Sequence, residues 1–306
     1  MGYVIIDLEF NNMQNIKKYF PRIYERNANL RTLEVQNEII QIGAVKLDDK
    51  MNKIGEYKSY IKPYAFTVLN PIITDMTGIT NNDLKTAISL KQGLKELREF
   101  AGDNNVLCSW AKSDIAEIVI NARYQKCDDA EIFWIKDYLD LQNYCTKLFS
   151  YEKAMGLKAA LDELKIEVDN SKLHDALNDC DYTAEVLRKS YKEDLIKDYI
   201  VNNVYELPSI KIKDLRNYDP MDYTIEMKCQ KCGGDLDITE PLTLLVTKFV
   251  SLVKCKDEMC NGRYLQEVIL RKNISGKTIF DDEITTLDNY EYFNYSYKLK
   301  ANKKKK

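Results

Sequence analysis

Asp7 and Glu9 stand two residues apart inside a short apolar run, Val4 to Phe10 (VIIDLEF). In a strand alternate side chains share a face, so Ile5, Asp7 and Glu9 would lie on one side and Ile6, Leu8 and Phe10 on the other. Two acids held side by side at the end of an apolar strand repel each other and resist burial, and need water or cations to offset both. A solvated strand end is the plainer alternative. Asp114 precedes the helical stripe of Ile115, Ile118, Val119 and Ala122, and Asp179 stands at the edge of another formed by Ala176, Cys180, Thr183 and Leu187. Both would sit where helices meet a sheet, although an exposed helix-face acid is the plainer reading of either alone. His174, the only histidine, comes five residues before Asp179 in HDALND. At about 100° per residue the two would diverge on one continuous helix, so His174 is expected in the loop entering it. Four carboxylates suit Mg²⁺ or Mn²⁺, and an imidazole suits a proton acceptor near neutral pH.

A second constellation is formed by sulfur. Cys229-x2-Cys232 and Cys255-x4-Cys260 fall in two close pairs, whereas Cys108, Cys127, Cys145 and Cys180 are scattered and read as reduced thiols. Gly233 and Gly234 follow the first pair as a tight knuckle requires, and a strand-rich stretch through Leu244, Val246, Phe249 and Val253 separates the pairs. Four thiolates so spaced predict one structural Zn²⁺ in a zinc ribbon too small to hold itself together otherwise. The four-residue gap in the second pair is longer than the commonest two, and free thiols or a redox pair remain the alternative.

The elements that must position these groups follow from periodicity. Val4 to Phe10, Glu38 to Leu47 and Glu56 to Lys62, ending at Pro63, predict three consecutive strands. Leu90, Leu94, Leu97 and Ala101 then mark a helix, Val106 to Trp110 a fourth strand, Ile115 to Ala122 a helix and Ile132 to Ile135 a fifth strand. Helices are expected over Gly156 to Leu164 and roughly Asp175 to Lys192. The order predicts an α/β fold, a mixed five-stranded sheet flanked by helices, with the small zinc-ribbon β module behind it. Expected boundaries are 1–192 for the sheet domain, 193–224 for a linker, 225–284 for the ribbon and 285–306 for a Tyr- and Lys-rich tail. Between the first two strands, Asn11 to Leu33 is polar and carries Lys17, Lys18, Arg22, Arg26 and Arg31 among aromatics. It is either a helical insertion near the site or a solvated loop.

The 306 residues carry 45 Lys and Arg against 48 Asp and Glu, a formal charge of −3, which neither demands nor forbids a nucleic-acid partner. Part of the acidity would be neutralised by metal, and Lys303 to Lys306 concentrate positive charge. No run approaches the ~20 apolar residues of a membrane span, and the apolar start is too short for a signal peptide. A soluble cytoplasmic protein, bacterial in origin, is expected.

Three segments resemble the motifs of the DnaQ-like DEDDh 3′–5′ exonuclease superfamily: VIIDLEF the first, SWAKSD (Ser109 to Asp114) the second and HDALND (His174 to Asp179) the third. EIIQIGAV, TDMTGIT (Thr74 to Thr80) and the approach to His174 support the likeness, which covers about residues 3–192 and is nearest the Eri-type and KapD-like branch. The resemblance implies an RNase H-like fold and hydrolysis of the 3′-terminal phosphodiester of single-stranded nucleic acid, RNA favoured over DNA. It implies two divalent ions about 3.5–4 Å apart, with Asp7 bridging, Glu9 and Asp179 completing one site, Asp114 helping to hold the other, and His174 as general base. Phe10, Thr77, Gly78 and Ile79 would grip the 3′-terminal nucleotide. Two departures stand out: Asp175 occupies a position where Arg is common, and the insertion after Phe10 is long. A DNA proofreading or repair exonuclease, and a non-catalytic nucleic-acid or protein-binding module, are the rival readings. The ribbon would bind nucleic acid or a protein partner. Tyr290, Tyr292, Phe293, Tyr295 and Tyr297, followed by lysines, read either as a base-stacking surface or as a polar disordered tail.

Overall fold

A computed structural model describes residues 2–31, 35–66, 68–169, 174–212, 215–216, 218–219 and 228–303. The chain divides into two compact units, Met1–Tyr205 and Glu206–Lys306.

In the first unit, β1 (Gly2–Asn12) is followed by the short α1 (Ile23–Arg26), β2 (Asn37–Leu47), β3 (Lys53–Tyr60), α2 (Pro71–Thr77), α3 (Leu90–Ala101), β4 (Asn105–Ser109), α4 (Ser113–Tyr124), β5 (Tyr138–Asp140), α5 (Leu141–Leu148), α6 (Leu157–Glu163), α7 (Ala176–Ser190), α8 (Glu193–Ile196) and β6 (Ile200–Val201). The strands form one mixed sheet in the order β3-β2-β1-β4-β5-β6. β1 lies inside it, antiparallel to β2 and parallel to β4. That position accounts for the unbroken apolar run Tyr3–Ile6, since an interior strand is covered on both faces. Ile5, Val45, Cys108 and Leu139 of the strands share a core with Tyr144, Leu161, Cys180 and Leu187 of α5, α6 and α7.

The expected five strands become six. Two residues of β6 pair antiparallel with β5, Ile200 opposite Leu139 and Val201 opposite Tyr138, and so short an edge leaves no periodicity to read. The fifth strand is not Ile132 to Ile135 but Tyr138–Asp140. Ile132 and Ile135 are buried, yet Ile132 closes a 3-10 turn and its carbonyl accepts the Tyr205 hydroxyl at 2.6 Å. Residues 193–205 therefore belong to the sheet unit and not to a linker. Among the described residues no helix is long and apolar enough to cross a membrane.

In the second unit, β7 (Pro208–Lys211), β8 (Leu236–Leu245), β9 (Lys248–Cys255), β10 (Arg263–Asn273) and β11 (Thr278–Thr286) form an antiparallel sheet ordered β11-β10-β9-β8, with β7 also paired to β10. β7 falls within the expected linker, and the expected module start at residue 225 lies outside the described residues. The expected tail is instead a helix, α9 (Asn289–Lys303), whose Tyr292 and Leu299 join Val250, Leu252, Leu265 and Leu287 in a core. Tyr292, Tyr295 and Leu299 recur at three and four residues, the stripe that docks a helix on a sheet. Residues 304–306 of the lysine run lie outside the described residues.

Gly43 decides how closely α7 approaches the sheet. It pairs with Asp7, and a Cβ built on it would stand 2.4 Å from the Ala176 carbonyl carbon and 2.6 Å from the Leu177 nitrogen. Backbone on backbone cannot yield as a side chain can. Gly43→Ala is expected to push the start of α7 off β2 and to cost about 1–3 kcal/mol of stability, read as a lower denaturant midpoint.

Candidate active site

Asp7 and Glu9 occupy one face of β1, opposite Gly43 and Gln41 of β2. The first turn of α7 comes down on this face because Gly43 leaves room and because the buried Gln41 Oε1 accepts the Ala176 N–H at 2.8 Å. Asp175 caps α7, accepting the Asn178 N–H at 3.3 Å, and is ion-paired to Lys58 of β3. The Asp at the position where Arg is common thus fastens the helix start to the sheet. Asp179 follows in that first turn.

The outcome is a cluster in which one carboxylate oxygen each of Asp7, Glu9 and Asp179 lies within 4.8 Å of the others. Asp114, in the first turn of α4, is 9% exposed, and its charge acts on Asp7 more strongly than that of any other carboxylate. α4 is itself tied to β2: the Asn121 side chain accepts the Ile39 N–H at 3.2 Å and donates to the Asn37 carbonyl at 2.9 Å. His174 lies in the loop before α7 with φ of 64°, and its N–H donates to Asp179 Oδ2 at 3.3 Å. Asp7, Glu9 and Asp179 are thus brought together, with the charge of Asp114 acting on Asp7 and the His174 backbone bonded to Asp179.

The electrostatics are those of crowded like charges. Burial, then Asp114, Asp179, Glu9 and Asp175, push the Asp7 carboxyl well above the usual range. Burial, Asp179, Asp175 and Asp114 push Glu9 up to about 8. Burial foremost, with Glu117 and Asp140, lifts Asp114 to about 7 against the pull of its own backbone N–H and the Ser109 hydroxyl. Asp179 is raised by burial, opposed by the His174 N–H and ring. Asp179 Oδ1 is buried without a hydrogen-bond partner among the described residues. A carboxyl oxygen without a donor, set among other carboxyl oxygens, fits a hard divalent cation.

Of the expected grip residues, Phe10 is half-buried on β1 just past a register shift in its pairing with β2. Thr77 ends α2, its hydroxyl donating to the Ile73 carbonyl at 2.8 Å and accepting the Ile79 N–H at 3.1 Å. Gly78 takes φ of 72° to end the helix, and Ile79 is buried with Ile40, Leu69, Ile73 and Leu84. Ile79 thus has only its backbone to offer a ligand. Gln41, Gly43 and the cap at Asp175 escaped the motif reading of the site, because their roles depend on the approach of α7 to β2.

In the second unit the Sγ atoms of Cys229, Cys232, Cys255 and Cys260 also lie within 4.8 Å of one another, with Cys229 to Cys260 and Cys232 to Cys255 both 3.5 Å. A tetrahedron with metal–sulfur bonds of about 2.3 Å has edges of about 3.8 Å, so the donor set fits such an ion. The Tyr264 hydroxyl, 3.0 Å from Cys229 Sγ, holds that thiol low, at about 6.

Residues 4–187 match the RNase_T family model, described as an exonuclease. The chain belongs to this exonuclease family. Its exonuclease domain is similar to part of the PolC-type DNA polymerase III of Streptococcus sanguinis (strain SK36), 29% identical over 173 residues, covering 56% of this chain and 11% of that polymerase. The polymerase of Streptococcus mutans serotype c (strain ATCC 700610 / UA159) is 28% identical over 184 residues, 60% of this chain and 12% of its own length. The chain thus spans only about an eighth of the length of these curated relatives. In fold it is similar to a 3′-exonuclease solved for 3′-end-specific recognition of a histone mRNA stem-loop, at TM-score 0.50 and 16% identity, covering 64% of this chain and 83% of that one. A full-length 3′-exonuclease gives 0.51 and 16%, covering 68% and 92%. The exonuclease domain has the mixed sheet and flanking helices expected of an RNase H-like fold.

Linkage gives the pH response of the metal-free domain. A carboxyl whose folded pKa is raised takes up a proton at a pH where the unfolded chain has none, so its ionisation destabilises the fold above about pH 8, and this is relieved as pH falls toward about 4. In EDTA the thermal midpoint should rise from about pH 8.5 to about pH 6, and rise less in Asp7→Asn. Added Mn²⁺ should raise the midpoint more at the higher pH. A profile shared by wild type and variant would refute the assignment of the effect to this cluster.

Proposed function

We propose that the protein is a 3′–5′ exonuclease that hydrolyses the terminal phosphodiester of single-stranded nucleic acid and releases nucleoside 5′-monophosphates. The observation that carries this is the meeting of Asp7, Glu9 and Asp179 oxygens within 4.8 Å, with Asp114 acting on Asp7 and the His174 backbone N–H donating to Asp179. Asp7, Glu9 and Asp179 form one ligand set, and Asp7 with Asp114 the second, for two ions of the Mg²⁺ or Mn²⁺ kind. When bound, such ions supply charge neutralisation at the phosphate and acidify water. His174, exposed on its loop, takes the proton of the attacking water as the bond from phosphorus to the 3′ oxygen breaks. The leaving oxygen gains a proton from solvent and becomes the new 3′ hydroxyl. Phe10 and the backbone of Thr77, Gly78 and Ile79 hold the terminal nucleotide.

RNA and DNA remain two readings of the strand. The likeness to PolC-type polymerases favours DNA, and the likeness to a 3′-exonuclease of histone mRNA favours RNA. With Mn²⁺, 5′-labelled RNA and DNA strands of one sequence should shorten from the 3′ end, and the faster strand identifies the substrate. EDTA or Asp7→Ala should abolish cleavage, and His174→Ala should lower kcat about 10²–10⁴-fold. Absence of cleavage by folded, metal-supplied protein would refute the proposal.

The four cysteines hold one structural Zn²⁺, their clustered sulfurs being the support for this reading. Metal analysis of the purified full chain should find about one zinc per chain, with thiols slow toward Ellman's reagent until the metal is chelated. Four rapidly titrating cysteines in the folded protein would overturn it.

A further inference from the structure

Between β1 and β2 the chain makes an excursion over residues 13–30 that the carboxylate chemistry does not use. It is anchored. Ile16 and Ile23 are 1% and 5% exposed. The Asn70 amide donates to the carbonyls of Asn12 at 3.1 Å and Gln14 at 2.9 Å, while Asn11 donates to the Phe66 and Val68 carbonyls and accepts the Asn70 N–H at 3.0 Å. A root so clamped makes a surface and not a solvated loop.

The outward side of this surface is mainly cationic. Lys17, Lys18, Arg22 and Arg26 are exposed and Glu25 is the only acid, a net of +3 in a chain of −3. Rings are interleaved with the cations: Lys17 stands 5.5 Å from the Tyr24 ring and Lys18 5.6 Å from that of Tyr19, and Tyr19 and Phe20 are each 37% exposed. A groove of about 700 Å³ is lined by Lys17, Lys18 and Tyr24 together with Ile72 of α2. A second, of about 510 Å³, lies along Tyr19, Phe20, Arg22 and Arg26. The excursion leaves β1 only a few residues, about 10 Å of strand, beyond Glu9.

Cations alternating with ring faces suit a phosphodiester backbone whose bases are unpaired. We propose that residues 13–30 form a platform that holds the substrate strand on the 5′ side of the nucleotide being removed. Lys17, Lys18, Arg22 and Arg26 contact phosphates, and Tyr19 and Phe20 stack bases. The proposal rests on the exonuclease reading of the carboxylate site for its direction along the strand.

Two full-chain variants test it, both on exposed positions and both checked by thermal melting: Lys17→Glu/Lys18→Glu/Arg22→Glu, and Tyr19→Ala/Phe20→Ala. Binding of a 5′-fluorescent single strand of about twelve nucleotides is followed by anisotropy in EDTA across a salt series. Each phosphate contact contributes a slope of about 0.7 in log affinity against log salt, so the charge variant should lose about 2 from the slope, while the aromatic variant should weaken binding at unchanged slope. Both should raise KM for the strand at least tenfold yet leave hydrolysis of the p-nitrophenyl ester of thymidine 5′-monophosphate, which has no upstream chain, within twofold. Unchanged slope and KM, equal loss on both substrates, or no strand binding by wild type would overturn the platform. Wild-type protein that binds the strand with the steep slope but hydrolyses neither substrate would sink the exonuclease reading and support the platform by the binding measurement alone.

Discussion

The mutual repulsion of buried carboxylates is the constraint that the first unit is built to withstand. Asp7, Glu9, Asp114 and Asp179 would separate or protonate if they hung on flexible chain, since burial and neighbouring carboxylates push each of them up. Each is fixed by something stiffer than itself. β1 is an interior strand hydrogen-bonded on both edges. α7 is held by Gln41, by the capping and ion-paired Asp175, and by direct backbone contact at Gly43. α4 is held by Asn121. The free energy that opposes the cluster is offset by the sheet and by the core that α5, α6 and α7 complete around Ile5 and Val45.

A buried carboxylate need not be a liability, and Glu38 shows the contrast. Fully buried on β2, it accepts the N–H groups of Tyr64, Ala65 and Phe66 at 2.5–2.7 Å. Three donors satisfy its oxygens and shape the loop that leads to Asn70 and hence to the root of the excursion after β1. Glu38 is a satisfied acid that organises backbone, whereas Asp179 Oδ1 has no donor among the described residues. The difference between the two separates a structural carboxylate from one suited to an ion.

The catalytic candidates were legible because their signal is local: Asp7 and Glu9 share a strand face, and His174 and Asp179 flank a helix start. The long strands and helices were legible for the same reason, through periodicity. What escaped was non-local. β6 is two residues long, and β5 takes its place from pairing with β4 at Tyr138–Asp140, while the more apolar Ile132 to Ile135 is buried as a turn. The helix at Asn289–Lys303 was hidden by its tyrosines, which look polar until Tyr292 and Leu299 are seen against Val250 and Leu252. Gly43 and Gln41 were within a recognised strand, but nothing nearby in sequence tells that α7, more than 130 residues on, will rest on them.

The order of elements along the chain also sets when the site can exist. Asp7 and Glu9 are made before the other acids, yet the strand that carries them pairs with β4 about a hundred residues later, and Asp179 arrives with α7 near the end of the unit. Loops of that length close slowly, and their contacts form only when the distant partner is available. A nascent or prematurely terminated chain ending before α7 therefore carries the first acids without the last, and with it the ability to begin the fold but not to assemble the cluster. Synthesis itself withholds the nuclease until the unit is almost complete.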